Sequence, residues 1–134
     1  MARFRGIYEL YRDLCRLRRN WFNNTRGLRG QGRNCHVVDD LNKVLAYHRY
    51  DSGGQGDDVV VILNFADRHW SSYRVGLPSA GIWWCRFSSD WSGYQPDFGN
   101  VGGFPVTAEE VPKDGLGFSA GFALGPYSAL IFSQ

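Results

Sequence analysis

The stretch SSDWSGYQPDFGN, residues 88–100, gathers residue types that could do chemistry. Asp90 and Asp97 are two carboxylates in one segment. Cleavage of a glycosidic bond needs two carboxyls facing each other across it, one with a raised pKa. Both aspartates stand among small residues that favour Asx turns, so fixing turns is their expected role and no catalytic residue is assigned. Trp91, Tyr94, Asp97 and Asn100 form a candidate carbohydrate-binding set. An aromatic ring stacks on the apolar face of a sugar, and Asp and Asn accept hydroxyl protons. The competing arrangement is a plug, in which Trp91 and Phe98 fold inward and seal the end of a core. A buried aromatic removes about 150–250 Å² from water, roughly 4–6 kcal/mol gross at ~25 cal/mol/Å². The plug is the expected arrangement, with Tyr94 left as the exposed aromatic.

The other reactive types are scattered. His36 and His48 approach each other if their strands pair, and Cys35 adjoins the first. A metal site needs three or four converging ligands, and the pattern offers no such set, so no metal is assigned. Asp51, Asp57 and Asp58 flank a glycine-rich turn and carry oxygens of the kind calcium takes. The order of an EF-hand loop is absent, and a solvated hairpin tip is the expected role. No phosphate-binding loop and no strand–turn–helix nucleophile elbow is present, and no cofactor is implied. Cys15, Cys35 and Cys85 are odd in number and far apart, without a C-x-x-C pair. They are expected to be free, buried thiols in a reducing compartment.

These residues must be positioned by a chain of 134 residues, the size of one domain. Aromatics at 16% and 17 glycines favour strands joined by tight turns. Charge is unevenly placed. Residues 1–33 hold nine arginines against Glu9 and Asp13, net +7, and the remainder holds six basic and eleven acidic residues, net −5, which together give the chain's +2. The basic part carries no nucleic-acid motif, so neither nucleic acid nor a membrane is expected as a partner. No leader and no membrane-spanning run is apparent, and a cytoplasmic location is the default expectation.

The periodicity divides the chain in two. Over residues 7–21, Ile7, Leu10, Tyr11, Leu14, Leu17 and Trp21 recur at spacings of three and four, which predicts an amphipathic helix stopped by Asn23, Asn24 and Gly27. Residues 23–33 read as a linker. From residue 34 the period becomes two, and strands are expected at 34–41, 43–50, 59–65, 70–77, 82–87, 104–111, 118–124 and 127–133. VVVILNF (59–65) is continuously apolar and should be a central strand buried on both faces. In 82–87, Trp83, Cys85 and Phe87 are expected on one face. Pro105 marks 104–111 as an edge strand. The expected fold is all-β: an antiparallel β-sandwich of about eight strands with Greek-key character, after one N-terminal amphipathic helix. Residues 1–33 are the helix and linker, and residues 34–134 the sandwich.

The segments VLAYHR, DDVVVILNF, GLPSAGIW, SDWSGYQPDFGN and GPYSALI together resemble the all-β C-terminal domain of the α-amylase superfamily, glycoside hydrolase family 13. FRGIYELYRDLCRLRRNWFNNTRGLRG resembles the last helix of such an enzyme's (β/α)₈ barrel and its link to that domain. The likeness covers nearly the whole chain. It implies a non-catalytic C-terminal domain of a protein like bacterial amylases or 1,4-α-glucan branching enzymes. The catalytic barrel is then a partner and α-glucan a candidate ligand. A barrel takes on the order of 250 residues, and only about thirty precede the β region, so no catalysis is expected of this chain alone. The alternatives are a stand-alone carbohydrate-binding module and a protein-interaction module that uses the basic helix. The helix is expected to pack on the sandwich or to drive weak homodimerisation.

Overall fold

A computed structural model describes residues 5–55, 57–89, 94 and 104–134. Trp91, Asp97 and Asn100, with Asp90 and Phe98, lie outside the described residues. The chain opens with helix α1 (Arg5–Arg18), followed by a 3₁₀ turn, Arg26–Arg29. Eight strands follow among the described residues: β1 (Gly32–Asp39), β2 (Val44–Tyr50), β3 (Val59–Asn64), β4 (Trp70–Leu77), β5 (Gly81–Ser88), β6 (Val106–Ala108), β7 (Phe118–Leu124) and β8 (Ala129–Ser133).

Six strands form one sheet in the order β1-β2-β3-β8-β5-β6, and β4 and β7 form a second. All pairings are antiparallel. The sheet faces meet in an apolar core that holds Val60, Ile62, Leu77, Trp83, Phe122 and Phe132. Phe122 and Phe132 meet edge-on, with centroids 4.8 Å apart. The Trp83 indole N–H, buried with its ring, donates to the Ser79 carbonyl at 3.1 Å. The all-β sandwich expected from the period of two is the fold observed.

β3 explains its continuous apolar run. Val60 and Ile62 face the sandwich core. Val59 and Val61 face the other way, into a second cluster with Phe87, Ile131, Leu28 and Leu17. α1 lies over that outer face, with Leu10 and Leu14 packed against the same cluster. A strand between a sheet and a helix has no polar face to keep. The edge position of 104–111 also holds, although the strand shortens to Val106–Ala108 and pairs with β5 alone in its sheet.

The structure corrects three local expectations. α1 ends at Arg18 and does not reach Trp21. Asn20 adopts a left-handed φ of 56°; its N–H donates to Leu17 O at 3.0 Å and that of Trp21 to Arg16 O at 2.9 Å. This pair of bonds around a left-handed residue closes a helix end, and asparagine tolerates the conformation. Trp21 therefore leaves the stripe, is exposed, and lies under the Arg16 guanidinium. In β5 the register against β8 slips between Cys85 and Phe87. The bulge sends Phe87 to the outer cluster while Trp83 and Cys85 stay with the core, so the three do not share a face. The cysteines are free, but Cys15 and Cys35 are exposed and only Cys85 is half-buried.

Candidate functional site

Within the 88–100 segment, Tyr94 is the aromatic the structure describes. It is 7% exposed, not the exposed ring the sequence suggested. Its ring lies 6.1 Å from that of Phe87 and belongs to the cluster beneath α1. Its hydroxyl donates to Asp13 Oδ2 at 2.5 Å. Burial first, then this bond to a carboxylate, pushes the phenol pKa well above its usual value. Asp13 lies on the charged side of the helix pattern, but it accepts from the hydroxyl and so lets a tyrosine enter an apolar cluster without stranding that group. A Cβ at Gly6 would collide with the Tyr94 carbonyl, so the helix start lies close against Tyr94. Tyr94 thus acts as a plug between helix and sheet, and it does not offer a ring face to a sugar.

The carboxylates around the β2–β3 turn act as a buckle. Asp57 is fully buried. Its Oδ1 accepts from Arg26 Nε at 2.7 Å, and its Oδ2 accepts the N–H groups of Asp51 and Gly53 at 2.9 and 2.6 Å. Burial alone pushes this carboxyl up, but Arg26 and the backbone donors outweigh it and hold the pKa below the usual range. The Asp57 carbonyl accepts from Gly27 N–H at 2.8 Å. A Cβ at Gly27 would strike the Asp57 and Arg49 carbonyls. Arg49 Nη2 donates to the carbonyls of Leu28 and Gly30. Within the expected linker, residues 26–30 are thus tied to β2 and to the β2–β3 turn.

Asp58 Oδ1 lies 2.7 Å from His48 Nε2, both side chains buried, and its Oδ2 accepts the Gly54 N–H. His36 Nε2 lies 3.0 Å from the Gly76 carbonyl and links β1 to β4. The strands that carry the two histidines do pair, but Asn34 and not His36 stands opposite His48, and the two rings bond to different partners. Among the described residues no group of three or more His, Cys, Asp or Glu gathers as metal ligands. Asp39 is held to about 2, chiefly by the Tyr73 hydroxyl at 2.6 Å and then by Asn42.

The exposed apolar side chains on and just beyond α1 form the other candidate surface. Ile7, Tyr8 and Tyr11 on the helix, and Trp21 and Phe22 after it, are all more than half exposed; Tyr11 is 64% exposed. α1 thus has two apolar faces, one buried on the sheet and one open. The sequence pattern showed a single stripe, because spacing alone does not tell that the sheet takes Leu10, Leu14 and Leu17 and leaves Ile7 and Tyr11 open.

The family model described as the alpha amylase C-terminal all-beta domain matches residues 35–134. The chain belongs to that family. Among curated relatives, it is similar to the 1,4-alpha-glucan branching enzyme GlgB of Mycobacterium ulcerans, 38% identical over 128 residues, which covers 94% of this chain and 16% of the relative. The corresponding enzyme of Burkholderia thailandensis is 36% identical over 132 residues, 96% of this chain and 15% of the relative. That of Mycolicibacterium paratuberculosis is 42% identical over 93 residues, 69% of this chain and 12% of the relative. The chain thus spans about one sixth or less of the length of these relatives. The longer matches include α1 as well as the strands of the β domain. Among the described residues no helix is long and apolar enough to cross a membrane.

Proposed function

We propose that this chain is the non-catalytic β domain of a protein like the 1,4-α-glucan branching enzymes, and that it stabilises a (β/α)₈ catalytic domain docked on the open face of α1. The observation that carries this reading is the two-faced helix. Leu10, Leu14 and Leu17 anchor it on the β domain, while Ile7, Tyr8 and Tyr11 are left for another body. The buckle at Asp57 and Arg26 fixes the helix relative to the sandwich, so a catalytic domain seated on the helix takes a defined orientation. A chimera tests this. The matching segment of the Mycobacterium ulcerans enzyme is replaced by this chain, and branching of amylose is followed by iodine staining. The expected result is branching activity close to that of the parent, and a fall in melting temperature when Tyr8 and Tyr11 are changed to Asp. A chimera that folds and is indifferent to those changes sinks the docking reading, and branching by this chain alone sinks the non-catalytic one.

The same reading extends to α-glucan. With Tyr94 turned inward, a contact would rest on Trp91, with Asp97 and Asn100 as hydroxyl acceptors. Titration with maltoheptaose is expected to show binding that Trp91→Ala abolishes; binding unchanged by that substitution removes the segment from consideration.

A further inference from the structure

On the outer face of β1 and β2, Arg33, Cys35, Tyr47 and Arg49 line an open cleft of about 450 Å³. Arg33 and Arg49 are register partners across the antiparallel pair, so both guanidinium groups leave the sheet on the same face. Like charges directly opposite each other on a sheet repel. Among the described residues neither arginine is in an ion pair. Arg49 is nevertheless held in place. Its Nη2 donates to Leu28 O at 3.1 Å and Gly30 O at 3.0 Å, and its Nε is buried without an acceptor. Arg33, exposed on the edge strand, brings a second fork with no protein acceptor among the described residues. Tyr47, half-buried against the cluster under the helix, makes an apolar wall.

We propose that this cleft seats a phosphoryl oxyanion, free or as an ester, between Arg33 and Arg49. A tetrahedral phosphoryl group presents oxygens in several directions and can engage the Arg33 fork and the remaining face of the Arg49 guanidinium at once, whereas a carboxylate satisfies one fork. Arg49 is already ordered by the two carbonyls, so less side-chain freedom is lost on binding. The anion also removes the repulsion between the paired arginines. The inference does not rest on the docking of a catalytic domain, because it uses neither α1 nor the 88–100 segment.

Cys35 on the rim supplies the readout. In the full chain carrying Cys15→Ser, Cys35 is the exposed thiol; Cys85 is half-buried and pushed up to about 11 by burial, so it is unreactive at neutral pH. Alkylation of Cys35 by iodoacetamide is followed by intact mass in sodium chloride, in sodium phosphate and in glucose 1-phosphate, all at one ionic strength. A phosphoryl compound is expected to slow alkylation severalfold in a saturable way, and the stronger of the two identifies the source as free anion or sugar ester. Arg33→Ala is expected to raise the half-protecting concentration about tenfold, the loss of one charge-assisted contact. Its melting temperature should not fall, since Arg33 is exposed, has no protein acceptor among the described residues and repels Arg49 across the strand pair. Arg33→Lys should fall between the two. Protection by chloride equal to that by the phosphoryl compounds, or protection of Arg33→Ala at the same concentration, overturns the proposal.

Discussion

At the scale of single residues, the polar groups that matter are those that had to be satisfied on burial. Asp57 takes three hydrogen bonds at full burial, and Tyr94 gives its hydroxyl to Asp13. Asp57→Ala strands two backbone N–H groups and the Arg26 fork, at a cost of about 2–4 kcal/mol in a urea melt. The depressed carboxyls of Asp57 and Asp39 set the acid limit. Each holds its proton less tightly when folded, so its contribution is complete above the ordinary carboxylate value near 4 and is lost as pH falls through the lowered folded value, which for Asp39 is about 2. Urea midpoints measured from pH 6 to pH 2 should fall over that window, and Asp57→Ala should flatten part of the slope. Tyr73 and Tyr94 act with the opposite sign. Both phenols are raised, so their contribution is present below about pH 10 and is lost above it. Two of the seven tyrosines should therefore resist ionisation in an ultraviolet titration until the chain unfolds. These pairings were not legible in the sequence, because Asp13 and Tyr94 are 81 residues apart and only the fold brings them together.

At the scale of elements, the helix and its tie decide how the chain is organised. Leu17 is 3% exposed in the cluster between α1 and the sheet. Leu17→Ala should cost about 3 kcal/mol, since it leaves a cavity where helix, 3₁₀ turn and sheet meet. Gly27→Ala tests the buckle separately: its methyl group would strike two carbonyls, so the 3₁₀ turn must lift away from the β2–β3 turn. Hydrogen exchange should then quicken at the position-27 N–H, which bonds to the Asp57 carbonyl, while the N–H groups of β3 and β8 stay protected. Loss of protection throughout would mean that turn and sandwich unfold as one unit. The strands lay close to where their alternation put them, because one buried face enforces a period of two over each stretch. The slip at Cys85–Phe87 escaped the pattern, because a bulge adds a residue without altering the residue types.

At the scale of the whole molecule, the open apolar face of α1 is the main asymmetry. Without a catalytic domain seated on it, that face is expected to pair two copies of the chain weakly through Ile7, Tyr8 and Tyr11. Sedimentation velocity should show a weight-average mass that rises with concentration above the 15.2 kDa of one chain, and Tyr11→Asp should abolish the rise. A concentration-independent monomer removes the homodimer and leaves the catalytic domain as the proposed occupant.

The sequence by itself determined the sandwich, its strand positions, the central place of VVVILN and the family likeness. Each of these rests on local periodicity or on motif order, which the chain carries in one dimension. The tertiary structure decided which helix face is covered, that Tyr94 turns inward, and that Asp57 in the β2–β3 turn fastens the 3₁₀ turn that follows α1. It also decided that Arg33 and Arg49 stand side by side over one cleft. Those facts depend on residues brought together from distant positions, and the cost of an unsatisfied buried group chooses among partners that no spacing reveals.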